Sequence, residues 1–273
     1  MAKLFSFASW NVEHFSNKSS RVSKVVDTLR QCDPDVFALF EVRGKAVFNS
    51  MTDRMSDYQF SILENRTQAN MEILVGVKRK FQSFVTFREE FKSKVPSLRP
   101  GALVTLTING EHYPILFLHL KSHAQPRDWG LRDDMFRHVA KLKRVLDKVA
   151  ASDGKKSNLV VVGDLNTMGL VAPYNNISDL TQDQEIEFVD KRMKRVGFNR
   201  MKKTFEASWW GGTKTYEPSK LDHVYAPTHL KFKDINGSNI DVIGWPQKST
   251  KREKISWINN YSDHALLHGT LLT

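Results

Sequence analysis

The run Val160-Val161-Val162-Gly163-Asp164-Leu165-Asn166 limits what this chain can fold into more than any other stretch. Its apolar residues drive a buried strand straight into a turn that ends in a carboxylate and an amide. In open α/β sheets the crevice beyond such strand ends is where ligands sit. Two short polar side chains there can grip a phosphate or orient a water. Asp, Asn and Gly are also turn formers, so the segment by itself leaves a plain turn open as well.

Four further segments deliver polar side chains at the edge of an apolar run. Phe5 to Trp10 leads into Asn11, and Val36 to Phe40 leads into Glu41. Lys220-Leu221-Asp222-His223-Val224-Tyr225 puts an acid at the start of a strand-like segment, and Tyr261-Ser262-Asp263-His264 opens the apolar stretch Ala265 to Leu271. That ordered set resembles the endonuclease/exonuclease/phosphatase superfamily, whose members include DNase I, exonuclease III, abasic-site endonucleases, neutral sphingomyelinases and inositol-polyphosphate 5-phosphatases. The resemblance runs from residue 7 to residue 271. It implies a DNase I-like fold of the α/β class (α+β in some schemes), a four-layer α/β/β/α sandwich of two mixed sheets.

Hydrophobic periodicity gives an independent layout. Val22, Val25, Val26 and Leu29 stand at i, i+3, i+4 and i+7, which predicts a helix over residues 19–31. Met135, Val139, Leu142, Leu146 and Val149 predict a longer helix from about Arg127 to just before Asp153-Gly154, directly ahead of the Asp164 strand. Ile186, Val189, Met193 and Val196 predict a third, ending at Gly197. Strand-like runs lie at residues 72–77, 84–87, 102–108 and 113–119, and Asn109-Gly110 is a strong hairpin signal. Consecutive hairpin strands among helices suggest two packed mixed sheets rather than a doubly wound parallel one.

The chain has 273 residues, 40% of them hydrophobic, with no visible linker or repeat, so a single domain over 1–273 is expected. Lys and Arg number 41 against 30 Asp and Glu, a formal charge of +11 that favours polyanionic partners, nucleic acid above all. Runs such as Lys191 to Arg195 and Lys248 to Lys254 can face substrate, although solvated faces are the commoner fate. Cys32 is the sole cysteine, which excludes an intrachain disulfide and a cysteine zinc site. The first strand-like run begins within a few residues of Met1, and no run is long enough to span a membrane. The expected address is therefore the cytoplasm, and the expected state a monomer.

Glu41 is by itself either a strand-end surface residue or a ligand. Mg²⁺ is a hard ion that takes one or two carboxylates and keeps several waters, so Glu41 near Asp263 and Asn11 would be sufficient. The resemblance makes Glu41 the principal ligand and Mg²⁺ the cofactor, with Mn²⁺ able to substitute. It gives His119 the role of proton donor to the leaving oxygen, oriented by Glu72, while His123 is a competing assignment that sequence leaves open. His264 would pair with Asp222, which holds its tautomer and stabilises the imidazolium, and the sequence leaves open which of the two His–acid pairs takes a proton and which gives one. Asp164 and Asn166 would orient the attacking water and bind a non-bridging oxygen.

Arg43 matches an arginine that in DNase I enters the minor groove, and Arg99 a contact to a backbone phosphate. Trp209-Trp210-Gly211-Gly212 can stack on bases or merely pack, and packing is the expectation. The activity implied is a DNA endonuclease of low sequence preference, acting on double-stranded DNA to leave a 5′-phosphate and a 3′-hydroxyl. A phosphatase or phosphodiesterase acting on inositol phosphates, phospholipid headgroups or nucleotides shares the same core residues. A binding module that has lost the chemistry is a third reading, and the complete set of site residues speaks against it.

Overall fold

The apolar runs of the sequence become strands, and twice a helix carries the chain from one strand to a parallel neighbour. The computed structural model describes residues 1–63, 72–174, 176–213 and 215–273. In chain order the elements are β1 (Lys3–Phe15), α1 (Ser19–Cys32), β2 (Val36–Val42), α2 (Lys45–Arg54), β3 (Tyr58–Ile62), β4 (Glu72–Lys78), β5 (Gln82–Arg88), β6 (Gly101–Ile108) and β7 (Glu111–His119). They continue with α3 (Pro126–Ala151), β8 (Val160–Asp164), α4 (Gln182–Lys194), β9 (Phe198–Arg200), β10 (Asp222–Pro227), β11 (Lys231–Phe232), β12 (Ile240–Ile243), α5 (Lys251–Asn260) and β13 (Leu266–Leu272). These elements fall into two compact units, Met1–Ser83 with Lys202–Ser219 and Lys231–Thr273, and Phe84–Met201 with Lys220–Leu230.

The first unit is built on a mixed sheet ordered β11-β13-β1-β2-β4-β3, with β12 also paired to β13. Strands β1 and β2 are parallel and joined through α1, and every other pair in the sheet is antiparallel. The α1 stripe of Val22, Val25, Val26 and Leu29 is buried in one core with Trp10, Phe37, Leu39 and Leu74. Each such side chain withdrawn from water contributes about 1.5–3 kcal/mol.

The second unit repeats the scheme with a six-stranded sheet ordered β5-β6-β7-β8-β10-β9. Here β7 and β8 are the parallel pair, joined through α3. Met135, Val139 and Leu142 of α3 share a core with Leu116 and Val161 of the sheet and with Val189 and Met193 of α4. Asn109 and Gly110 both take positive φ, 52° and 77°, as a two-residue hairpin between β6 and β7 requires. Gly163 is required by its surroundings: at φ 152° a Cβ there would collide with the Leu118 carbonyl of the neighbouring strand. Among the described residues no helix is long and apolar enough to cross a membrane.

Parallel strands joined by a helix run toward the same edge, so their carboxyl ends are neighbours there, and the amino ends of antiparallel partners join them. In the first unit that edge collects Asn11, Glu41 and Glu72. In the second it collects His119, Asp164 and Asp222. The register is direct: His119 stands opposite Asp164 across β7 and β8, and Asp222 opposite Asp164 across β10 and β8.

Asp35, at the amino end of β2, anchors the end of the first sheet away from Glu41. Its Oδ2 accepts from the Ser6 backbone N–H at 2.9 Å and the Ser6 hydroxyl at 3.1 Å, and it meets Lys3 Nζ at 2.8 Å. Its Oδ1 meets Lys80 Nζ at 3.0 Å. Burial pushes this carboxyl up, but the hydrogen bonds from Lys3, Lys80 and Ser6 outweigh it and hold the value at about 2, against an ordinary 3.8. Because the folded value is the lower one, the stabilisation is present above pH 3.8 and is lost as pH falls through about 2. Discounted for the exposed lysines, it amounts to about 2 kcal/mol. Asp35→Asn is therefore expected to unfold with a flatter pH dependence than wild type in this window. Superimposable acid-unfolding curves would remove Asp35 as the cause.

Candidate active site

In the first unit the residues Asn11-Val12-Glu13-His14 break the regular pairing of β1 with β2, and the register shifts between Asn11 and Phe15. Glu13, His14 and Glu41 all take left-handed backbone, with φ of 34°, 50° and 60°. Non-glycine residues hold this conformation only where the surroundings enforce it, and such strain gathers at functional sites. Its effect here is to gather acids. Asn11 Nδ2 donates to Glu41 Oε1 at 3.2 Å, and Asn11 Oδ1 accepts from the Glu13 backbone at 3.0 Å. Glu41 Oε2 accepts from the His14 backbone at 3.0 Å, with the His14 ring nitrogen at 3.3 Å.

Asp263 joins the same neighbourhood through Ser262. The Ser262 hydroxyl donates to the Asn11 carbonyl at 2.7 Å and accepts from the His264 backbone at 3.1 Å. Asp263 Oδ2 accepts from Trp209 Nε1 at 2.7 Å, while the His264 carbonyl accepts from Trp10 Nε1 at 3.0 Å. Arg21 ties the two strand ends together, donating to the carbonyls of Val12 and Tyr261 at 2.8 and 2.9 Å. Glu13, His14, Arg21, Arg43 and Asp263 line a cleft of about 750 Å³.

In this cleft the acids Glu13 and Asp263 stand among Lys18, Arg21, Lys24 and Arg43. Burial and then the Asp263 charge push the Glu13 carboxyl above its ordinary value, with Glu41 adding to the rise against Arg21 and His14. Burial lowers the Arg21 guanidinium, which Glu13, Asp263 and Glu41 pull back up. Three carboxylates and an amide oxygen are hard donors, the kind that Mg²⁺ or Mn²⁺ prefers. Glu41, Asp263, Asn11 and Glu13 therefore offer the donor chemistry that a divalent cation takes.

In the second unit His119 is 6% exposed and its Nε2 lies 3.5 Å from Asp164 Oδ2. A carboxylate oxygen of Asp164 and one of Asp222 come within 4.8 Å. Asn166, at φ 49°, donates its backbone N–H to Asp164 Oδ1 at 3.2 Å and its side-chain amide to the Leu120 carbonyl at 3.1 Å. His123 is exposed on the loop beyond, where its ring meets Lys121 and Ser122. Of the two candidate histidines, His119 is the one set against an acid of this edge.

The loops carrying these residues are fastened by a pair the sequence did not reveal. Arg132, fully buried on α3, donates all five of its N–H groups. Nε and Nη2 make a fork to Glu185 of α4 at 2.9 and 3.0 Å, Nη1 reaches the carbonyls of Lys121 and His123 at 3.2 and 2.5 Å, and Nη2 also reaches Gly169 at 2.9 Å. Glu185 in turn accepts from the Gly169 backbone at 2.6 Å. One ion pair thus holds both the segment after His119 and the segment after Asn166.

The remaining expected residues are distributed as follows. Glu72 is buried in the first unit, its backbone opposite Val42. Arg43 is exposed and lines the cleft beside Glu13 and Asp263. Arg99 is partly buried in the second unit just before β6. Asp222, His119, Asp164, Asn166 and Arg99 belong to the second unit, and Asn11, Arg43, Glu41, Glu72, Asp263 and His264 to the first. Glu13 is not among the residues expected from the sequence, and Trp209, expected to pack, also donates to Asp263. The signal for Glu13 is its spacing, since Asn11-Val12-Glu13 repeats the polar-x-polar pattern of Asp164-Leu165-Asn166.

Comparison with known proteins bears on family and fold. The sequence pattern of the Endonuclease/Exonuclease/phosphatase family matches residues 8–264. No curated protein matches the chain. Truncated Caenorhabditis elegans TDP2 superposes with a TM-score of 0.66 at 16% identity, covering 98% of this chain and 97% of that one. D. rerio TDP2 complexed with a single-strand DNA product gives 0.64 at 16% identity, with 98% and 99% covered. A Bacteroides thetaiotaomicron mannosyl-6-phosphatase gives 0.59 at 13% identity, with 98% and 100% covered. At these identities the likeness is one of fold, two mixed sheets with helices of the DNase I-like kind.

Proposed function

We propose that this chain, which belongs to the endonuclease/exonuclease/phosphatase family of ester hydrolases, is a Mg²⁺-dependent phosphodiesterase acting on DNA. The observation that supports it best is the pair of polar clusters at the two sheet edges, one fit for a cation and one pairing a buried histidine with an acid. The family match runs through both units, and each unit contributes one cluster to the reading. Glu41, Asp263, Asn11 and Glu13 hold the cation. When bound, it neutralises charge that builds on the phosphate and its leaving oxygen.

The protein groups do the rest. Asp164 and Asn166 orient the attacking water, and the Asn11 amide binds a phosphate oxygen. His119 gives a proton to the leaving oxygen, with Glu72 as the orienting acceptor proposed for it beside Asp164. His264 takes the proton of the attacking water, with Asp222 as the acceptor proposed to fix its tautomer. His119→Ala and His264→Ala are each expected to lower kcat by about 10²-fold, the scale of losing a positioned acid or base. His123→Ala should leave kcat near wild type, and a crippled His123→Ala beside an active His119→Ala would reverse the assignment.

Substrate is the finer part of the proposal. The +11 charge and Arg43 in the cleft favour a nucleic acid, and a DNA product is named with one TDP2 of the same fold. The same fold also carries a mannosyl-6-phosphatase, so a small phosphomonoester is the competing substrate. Nicking of supercoiled plasmid in Mg²⁺, abolished by EDTA, is the deciding experiment. Arg43→Ala should impair cleavage of duplex DNA far more than hydrolysis of a small bis-aryl phosphodiester, because only the duplex offers a groove. Arg99→Ala should lower the slope of log K against log salt by about one. Intact plasmid together with phosphate release from a sugar phosphate or nucleotide would transfer the site to the competing substrate.

A further inference from the structure

Beside the cleft, and separate from the residues assigned above, lies a second pocket of about 350 Å³ lined by Trp210, Tyr216, Trp245, Lys251 and Lys254, with Glu217 on its wall. Its floor is aromatic and rigid. Trp210 and Trp245 are 7% and 3% exposed, with ring centroids 5.8 Å apart and planes inclined by 53°. Tyr216 is the opposite case, an aromatic 57% exposed whose carbonyl accepts from Trp210 Nε1 at 2.9 Å. Its backbone is held while its ring stays accessible.

The charge of the pocket is equally specific. Lys251 and Lys254 stand one turn apart on one face of α5, where like charges repel. Among the described residues neither forms an ion pair, and Lys251 Nζ instead sits 5.9 Å from the Trp210 ring centroid. An anion between them relieves that repulsion. A flat π-system beside the anion satisfies the exposed Tyr216 ring, and Glu217 can accept from an exocyclic amino group. Flat ring, amino group and phosphate together describe a nucleotide.

Its position ties it to the chemistry. Helix α5 supplies Lys251 and Lys254 to this pocket and Ile258, Asn259 and Asn260 to the cleft, so the two are about one helical turn apart, roughly 6 Å at 1.5 Å per residue. The adjacent pair Trp209 and Trp210 spans them, Trp209 bonded to Asp263 Oδ2 and the Trp210 backbone to the Asp263 carbonyl at 3.0 Å. We propose that this pocket holds one unpaired nucleotide flanking the scissile phosphate, its base on Tyr216 and its phosphate between Lys251 and Lys254. The assignment rests on the phosphodiesterase reading and adds to it a preference for nucleic acid that is unpaired on this side of the cut.

Binding of a labelled single-stranded oligonucleotide in EDTA, alongside hydrolysis of a small bis-aryl phosphodiester in Mg²⁺, tests it. Tyr216→Leu keeps an apolar contact with Trp209 but removes the stacking face. It should weaken oligonucleotide binding about tenfold, with Tyr216→Phe restoring it. Lys251→Gln and Lys254→Gln should each lower the salt slope by nearly one. Hydrolysis of the small diester should be unchanged in all four variants. Binding by the variants that equals wild type, a loss as large for blunt duplex as for single strand, or no binding by wild type would overturn the pocket. Cleavage of DNA that ignores these substitutions would keep the phosphodiesterase reading and reject the pocket. Binding that depends on Tyr216 without any cleavage would keep the pocket and reject that reading.

Discussion

Glu41→Gln is expected to lower kcat/KM on a phosphodiester by about 10³-fold, since a cation's stabilisation of transition-state charge amounts to several kcal/mol and each 1.36 kcal/mol is a factor of ten. The substitution keeps the size of the side chain and an oxygen for the His14 backbone, which lies 3.0 Å from Glu41 Oε2, so the melting temperature in EDTA should stay near wild type. Mg²⁺ itself gives the second readout. A cation held only by the folded state stabilises by about 2.7 kcal/mol at a hundredfold excess over its dissociation constant, and that increment should shrink or vanish in the variant. Undiminished turnover of Glu41→Gln in Mg²⁺, together with an unchanged Mg²⁺-induced rise in melting temperature, would take Glu41 out of the metal assignment. Loss of the fold in EDTA would instead mark Glu41 as structural.

What could be read from the sequence follows from how local each signal is. The stripe of Val22, Val25, Val26 and Leu29 and the Asn109-Gly110 turn are written in neighbouring residues, and both appear as expected in α1 and in the β6–β7 hairpin. Helix α5 was read as a charged run because Ile258 is its one buried residue, too little apolar surface for a periodic signal. Its capping box, Thr250 with Glu253, was the better clue. The edge residues were legible for a topological reason. A strand that must be buried is written in apolar residues, so the first polar residue after it marks the sheet edge, as at Asn11, Glu41 and Asp164. Partnerships were not legible, because hydrogen bonds such as Trp209 to Asp263 and Arg132 to Glu185 join residues 54 and 53 apart along the chain.

Arg132→Met is expected to destabilise the protein by about 3–5 kcal/mol, the scale for removing one partner of a buried ion pair. Glu185, 3% exposed, would keep its charge with only the Gly169 N–H in reach among the bonds described, and the carbonyls of Lys121, His123 and Gly169 would lose their donor. Replacing both charges separates stability from positioning. In Arg132→Met/Glu185→Leu the uncompensated carboxylate is gone and apolar packing fills its place, so much of the stability should return. The loops should not be repaired, because the double variant still offers no donor to the three carbonyls and no acceptor to Gly169. With the segments after His119 and Asn166 unfastened, kcat on the small diester should remain depressed by about tenfold or more, since misplacing a catalytic group by about 1 Å can cost 10²-fold. Calorimetry and single-substrate kinetics on the two variants decide it. A double variant that regains both stability and kcat would reduce the Arg132–Glu185 pair to a structural bond, and a single variant as stable as wild type would show that the pair does not anchor the loops.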